Sequence, residues 1–167
     1  MSTQTEQEQE MTFATPQAEH RWLEKLVGKW TYEGEAVGEE GTATGKEAVR
    51  SLGGLWFLAE GEGEMPGSDE PTRTLMTLGF NPQTGRYVGT WIGSMMTHMW
   101  VYDGELEAAK NVLTLSCEGP SMAADGTTVN YRDVIEIVDK DHRTLKAYVE
   151  ENGNWRHFMT THYTRTK

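Results

Sequence analysis

Residues 87–102 read YVGTWIGSMMTHMWVY, sixteen positions without one Asp, Glu, Lys or Arg in a chain that is 25% charged. The run is shorter than the roughly 20 apolar residues a membrane-spanning helix needs, and its glycines and His98 argue the same way. Its aromatic and β-branched residues suit strands, and a break at Gly93-Ser94 folds it into a hairpin. A strand wet on one face shows polar residues at alternate positions. Here neither alternation set carries a charge. Tyr87, Gly89, Trp91 and Gly93 form one set of the first arm, with Val88, Thr90 and Ile92 the other. In the second arm Met95, Thr97, Met99 and Val101 alternate with Met96, His98, Trp100 and Tyr102. Both faces are therefore expected to be covered, the inner by a core or cavity and the outer by a second copy of the protein, a homodimer.

Outward from this hairpin the chain reads as strands, with one helix ahead of them. Residues 1–12 are Gln/Glu/Thr-rich and read as a disordered tail, followed by one domain over 13–167. Thr15-Pro16 resembles an N-cap with proline at the first helical position. Ala18, Trp22, Leu23, Leu26 and Val27 then recur at helical spacing up to Gly28, giving a helix of about three turns. Strand patterns follow over Lys29–Val37, Thr42–Leu52, Leu55–Glu64 and Thr72–Phe80. The 87–102 hairpin comes next, closing at Asp103-Gly104. Val112–Glu118, Thr127–Val138, Arg143–Glu150 and Trp155–Thr166 complete the set. Gly53-Gly54 and Asn152-Gly153 are tight-turn signals, the latter a type I′ dipeptide. About ten strands in sequential hairpins predict an all-β fold, an antiparallel up-and-down barrel with one short N-terminal helix. A β-sandwich is the rival arrangement. A barrel of this strand count can enclose a cavity.

Composition narrows the functional classes. A net charge of −11 repels phosphate backbones and the sequence has no basic cluster, which argues against nucleic acid as a partner. Cys117 is the single cysteine, so no internal disulfide and no multi-cysteine metal site can form. The start, MSTQTEQEQEM, lacks the basic and apolar regions of a signal peptide, and no apolar run is long enough for a membrane helix. A cytoplasmic protein is expected.

Motifs for phosphate cradling, nucleophilic serine or zinc hydrolysis (GxGxxG after a strand, Walker loop, GxSxG, HExxH) are absent. Among the histidines, His20 reads as a surface or half-buried residue and His142 as a solvated turn residue. His98 has no evident route to water. His157 shares strand parity with Trp155, Met159 and Tyr163, an apolar set expected to face inward unless a bulge intervenes, whereas His162 falls on the opposite face. Asp133 and Glu136 read as solvent-facing partners of Arg132 or Arg143. No metal is expected.

Gly28-Lys29-Trp30, after a short helix and opening the first strand, resembles the GxW start of lipocalin-like (calycin) barrels. The resemblance implies that Trp30 packs at the closed end beneath Arg165 of the last strand. Gly28–Trp30, Leu52–Gly54, Gly89–Gly104 and His162–Arg165 together resemble an uncharacterised bacterial lipocalin-like family of unknown function, over nearly the whole folded region. A more distant resemblance is to nitrobindin, a ten-stranded barrel that binds haem through a C-terminal histidine. That would make His157 or His162 an axial ligand, although Gly34 departs from the GxWxGxG spacing of that family.

The leading expectation is a barrel that binds a small apolar or amphipathic molecule in its interior, with no cofactor. Trp91, Met95, His98, Met99, Trp100, His157 and Met159 are the candidate lining. A haem protein using His157 or His162 is the alternative, and an enzyme on a hydrophobic substrate with His98 as acid–base is a third reading.

Overall fold

The computed structural model describes residues 12–167. The tail assigned to residues 1–12 therefore lies, Thr12 apart, outside the described residues. Helix α1 spans Ala18–Leu23 and passes into a 3₁₀ turn at Glu24–Leu26. Ten strands follow: β1 (Gly28–Ala36), β2 (Ala43–Leu52), β3 (Trp56–Glu64), β4 (Pro71–Asn81), β5 (Arg86–Gly93), β6 (Trp100–Glu107), β7 (Val112–Pro120), β8 (Thr128–Asp139), β9 (His142–Glu151) and β10 (Asn154–Arg165). Each pairs antiparallel with its sequence neighbours, and β1 pairs with β10 to close the barrel. The turn Asn152-Gly153 holds both residues at positive φ, 52° and 79°, as a two-residue type I′ connection requires, whereas Gly53-Gly54, at 67° and 75°, sit in a three-residue connection in which Leu52 pairs with Trp56.

Strict alternation sorts residues to the two faces. In β9, Arg143, Leu145, Ala147 and Val149 are buried, while Thr144, Lys146, Tyr148 and Glu150 between them face out. One end of the barrel is plugged. Trp22, Leu23 and Leu26 are buried against it, and Tyr87 donates its hydroxyl to Glu19 O at 2.9 Å. Trp30 Nε1 donates to Leu26 O at 2.9 Å. Above the Trp30 ring lie two guanidiniums, Arg165 at 4.2 Å and Arg143 at 4.7 Å. Arg165 also donates to Val27 O, Lys25 O and Lys140 O, and Arg143 forms an ion pair with the inward Glu47. Gly28, at φ 137°, is where Arg165 passes; a methyl group there would overlap the guanidinium.

Four local expectations are corrected. The helix starts later and runs shorter, because Gln17 is its N-cap and donates its N–H to His20 Nδ1 at 3.0 Å. His20 is consequently buried, edge-on to Phe80. The second arm of the uncharged hairpin is a strand only from Trp100, residues 94–99 forming a loop, and β6 continues through Asp103-Gly104 to Glu107. The register between β9 and β10 shifts between His157 and Met159, with Phe158 as the extra residue.

The buried pair at the plugged end makes a stability prediction. Arg143→Met alone strands the Glu47 carboxylate and should cost about 3–5 kcal/mol, while Arg143→Met with Glu47→Leu should recover most of the loss. Urea unfolding of the three proteins decides it; a double variant no more stable than the single one would refute the coupling.

Candidate functional site

The end opposite the plug is open, and its rim is built by the 94–99 loop. Trp91 and Trp100 are paired across β5 and β6 and point inward. A Cβ on Gly93 would meet both Met95 Sδ and the Trp91 ring, so the Met95 thioether lies beside Trp91 at the mouth. Trp100 Nε1 points at Met96 Sδ, 3.2 Å away, and its ring lies on Gly119, where a side chain would collide with it. Thioethers over indoles are favourable and adaptable contacts. Trp100 is also edge-on to Tyr131 at 4.9 Å, and Tyr131 to Phe158 at 6.2 Å. Met159, opposite Ala147, completes the ring of apolar groups.

The groups that face the lumen below are only partly shielded. Tyr32, Thr72, Thr74, Trp91, Trp100, Phe158 and Met159 point inward or pack on the core by register, yet all are half-buried rather than buried. Solvent therefore reaches the upper lumen. At the plugged end the free space shrinks to a void of about 20 Å³ among Leu26, Glu47, Phe57, Ile135, Arg143 and Tyr163, about the room one water needs.

At mid-height sits a polar group that sequence reasoning placed outside. Asp133, opposite Leu115 and Ala147, faces the lumen and accepts a 2.5 Å hydrogen bond from the Tyr102 hydroxyl. Burial raises its carboxyl to about 6, the Tyr102 hydrogen bond opposing part of that shift. Burial and the nearby Asp133 push the Tyr102 phenol well above its usual range, and push the Cys117 thiol up to about 12. Cys117 is thus a protonated thiol at neutral pH and no nucleophile. The signal for Asp133 was available, since Val129, Tyr131, Asp133, Ile135 and Ile137 form one alternation set.

A second concavity lies on the outer wall. The β6–β7 ladder runs only from Asp103↔Ser116 to Glu107↔Val112, leaving Trp100–Tyr102 paired to β5 alone and Cys117–Pro120 to β8 alone. Over this open seam is a cleft of about 600 Å³ lined by His98, Met99, Val101, Glu118, Arg132 and Trp155 among others. His98 bridges the seam, its Nε2 lying 3.0 Å from Glu118 O; since a carbonyl only accepts, Nε2 carries the proton. Among the described residues the Glu118 carbonyl is the hydrogen-bond partner of His98.

Of the residues expected to line an interior site, Trp91, Met95, Trp100 and Met159 meet at the mouth. His98 is on its rim, edge-on to Trp100 at 4.7 Å, and Met99 is exposed on the outer side. The inward placement of His157 is corrected. The Phe158 bulge turns His157 and Trp155 outward, where His157 packs on Tyr148 and bonds Met159 O and Thr160 Oγ1, and Trp155 stacks under Arg132. His162 is exposed on the outer face opposite Glu33. Neither imidazole faces the lumen. Among the described residues no cluster of three or more His, Cys, Asp or Glu is placed to hold a metal ion, and no helix is long and apolar enough to cross a membrane.

The fold and site define a closed ten-stranded antiparallel barrel with a helix-plugged end and an aromatic mouth. The chain belongs to the family described as protein of unknown function (DUF1579), whose model matches residues 15–165. No curated protein matches it in sequence. Among solved structures it is similar to Rv2717c from M. tuberculosis, with a TM-score of 0.59 at 12% identity over 92% of this chain and 100% of that one. It is also similar to the S-type phycobiliprotein lyase CPES from Guillardia theta, with a TM-score of 0.54 at 10% identity over 90% of this chain and 94% of that one. At these identities the likeness concerns the fold.

Asp133 makes stability depend on pH in a defined direction. The folded carboxyl keeps its proton up to about pH 6, whereas the unfolded one loses it near 3.8. Between those values the folded state binds more protons, so stability falls as pH rises, by about 3 kcal/mol in total, and the penalty is complete above pH 6. Asp133→Asn should remove this slope. Urea midpoints at pH 4.5 and 7.5 should show the variant gaining on the wild type at the higher pH; an unchanged difference would contradict the assignment.

Proposed function

We propose that this protein binds a small amphipathic molecule in the open half of its barrel. The apolar part of the ligand lies against Trp91, Trp100, Phe158 and Met159, and its polar end reaches the Tyr102–Asp133 pair. The observation that carries this reading is the half-buried state of these inward-facing aromatic and thioether groups, above a plugged floor with room for about one water. Concave sites lined by apolar rings with few, placed polar groups are where small ligands bind. The methionines of the rim suit ligands of varied shape.

The outer face of the hairpin has a separate role in this reading. Ile92, Met99 and Val101 are 41%, 54% and 62% exposed and share it with no charged neighbour on the 87–102 stretch. A second copy of the chain covers them in a homodimer.

Titration with 1-ethylnaphthalene, followed by quenching of tryptophan fluorescence, tests the site. Binding should be saturable, and Trp100→Ala should weaken it about tenfold, as loss of a stacked ring implies. Absence of binding, together with protein purified from cells that carries no small molecule by native mass spectrometry, would overturn the reading. For the interface, wild type should elute as a dimer and Val101→Glu as a monomer; a monomeric wild type at high concentration would refute it.

A further inference from the structure

Among the described residues the charges that face the lumen are few, and all but one have partners. Glu47 and Arg143 form a buried ion pair, with Arg143 also stacked on Tyr163 at 3.7 Å. Arg156 and Glu151 pair at the rim, 2.8 Å apart. Arg165 is held at the plug by three backbone carbonyls. Asp133 remains. The strands packed around it present Leu115 and Cys117 from β7, Ala147 from β9, Tyr102 from β6 and Tyr163 from β10. Those are two phenols and a thiol, with no cation. Toward the mouth from it lie Trp100, Tyr131 and Phe158, packed edge-on to one another.

We infer that the lumen selects organic cations, namely a molecule with an apolar ring or chain for the Trp91–Trp100–Phe158 mouth and one ammonium group that pairs with the Asp133 carboxylate. The inference rests on the binding site proposed above and names its ligand class. A carboxylate deep in a barrel without a cation is destabilising, and an ammonium brought by the ligand relieves that penalty. The faces of aromatic rings attract the same charge. The net charge of −11 raises the local concentration of cations and opposes anions. A fatty-acid or other carboxylate ligand would instead set two like charges together at the floor of the site. Since Asp133 takes up a proton near pH 6, amine binding should weaken on acidification, whereas binding of a neutral hydrocarbon should not.

The test is isothermal titration of the full chain with three matched probes: 1-naphthylmethylamine, 1-ethylnaphthalene and 1-naphthoate. At pH 7.5 the amine should bind at least about tenfold more tightly than the hydrocarbon, and the carboxylate most weakly. At pH 5.0 the amine should lose about tenfold, following protonation of one carboxyl. Asp133→Asn should bind amine and hydrocarbon alike at both pH values. The wild-type pH series needs no variant, so a misfolded Asp133→Asn would leave the test intact. If the hydrocarbon binds but the amine is no tighter, or its affinity is flat with pH, cation selection is wrong while the binding site stands. If none of the three binds, both fall.

Discussion

The stack of Arg165 and Arg143 over Trp30 is the contact on which the rest of the barrel depends. Trp30 opens the first strand, Arg165 ends the last and Arg143 comes from the neighbouring β9, so one indole joins the two edges that must meet for the sheet to close. Arg165 also ties down the chain leaving the helix through Val27 O and Lys25 O. Closure and plugging are thus one event. Each cation–π contact contributes on the order of 0.5–2 kcal/mol, and the buried Glu47–Arg143 pair specifies which strand faces which more than it adds stability.

Closing one end obliges any ligand to use the other, and the packing there differs in kind. Around the plug, aliphatic groups such as Leu113, Leu115 and Ile135 leave almost nothing exposed. In the upper half, large rings lie over glycines: Tyr32 over Gly45 and Gly63, and Trp100 over Gly119. A ring seated on bare backbone needs the glycine beneath it, since a methyl group there would collide with the ring. Where the two halves meet, beside Leu115 and Ala147, the fold places Asp133, which accepts its side-chain hydrogen bond from Tyr102. A lone carboxyl with a perturbed proton affinity in a concave site marks a candidate for function rather than for stability.

Much of this was legible in the residues. The ten strands, the leading helix and the two positive-φ turns follow from alternation, helical spacing and turn dipeptides. Parity puts Met159 inward, whereas for the hairpin both alternation sets are candidates and the residues do not say which of them, that of Trp91 or that of Ile92, faces in. What parity cannot see is a bulge. Phe158 carries no glycine or other local mark, yet the extra residue sends His157 and Trp155 outward and removes the histidine from the lumen. Charge misled in the opposite sense. Asp133 and Arg143 were assigned to solvent by residue type although each sits in an apolar alternation set; Arg143 is buried because Glu47 neutralises it, and Asp133 faces inward with the Tyr102 hydroxyl as partner, its burial raising its proton affinity. His20 was misread for a related reason, as its ring accepts the N–H that opens the helix and so can be buried. The 94–99 loop has strand-like composition, but two of its three methionine sulfurs, those of Met95 and Met96, lie against the indoles of Trp91 and Trp100 and the segment forms no ladder.

Among the described residues, Asp133 is the one carboxyl group facing the lumen without a cationic partner. The most direct measurement is an NMR titration of the Asp133 side-chain carboxyl carbon in the ligand-free protein, assigned by comparison with Asp133→Asn. The account predicts a midpoint near pH 6, well above the 3.8 of an ordinary aspartate. A midpoint at or below 3.8 would mean a solvated or cation-paired group, and would contradict it.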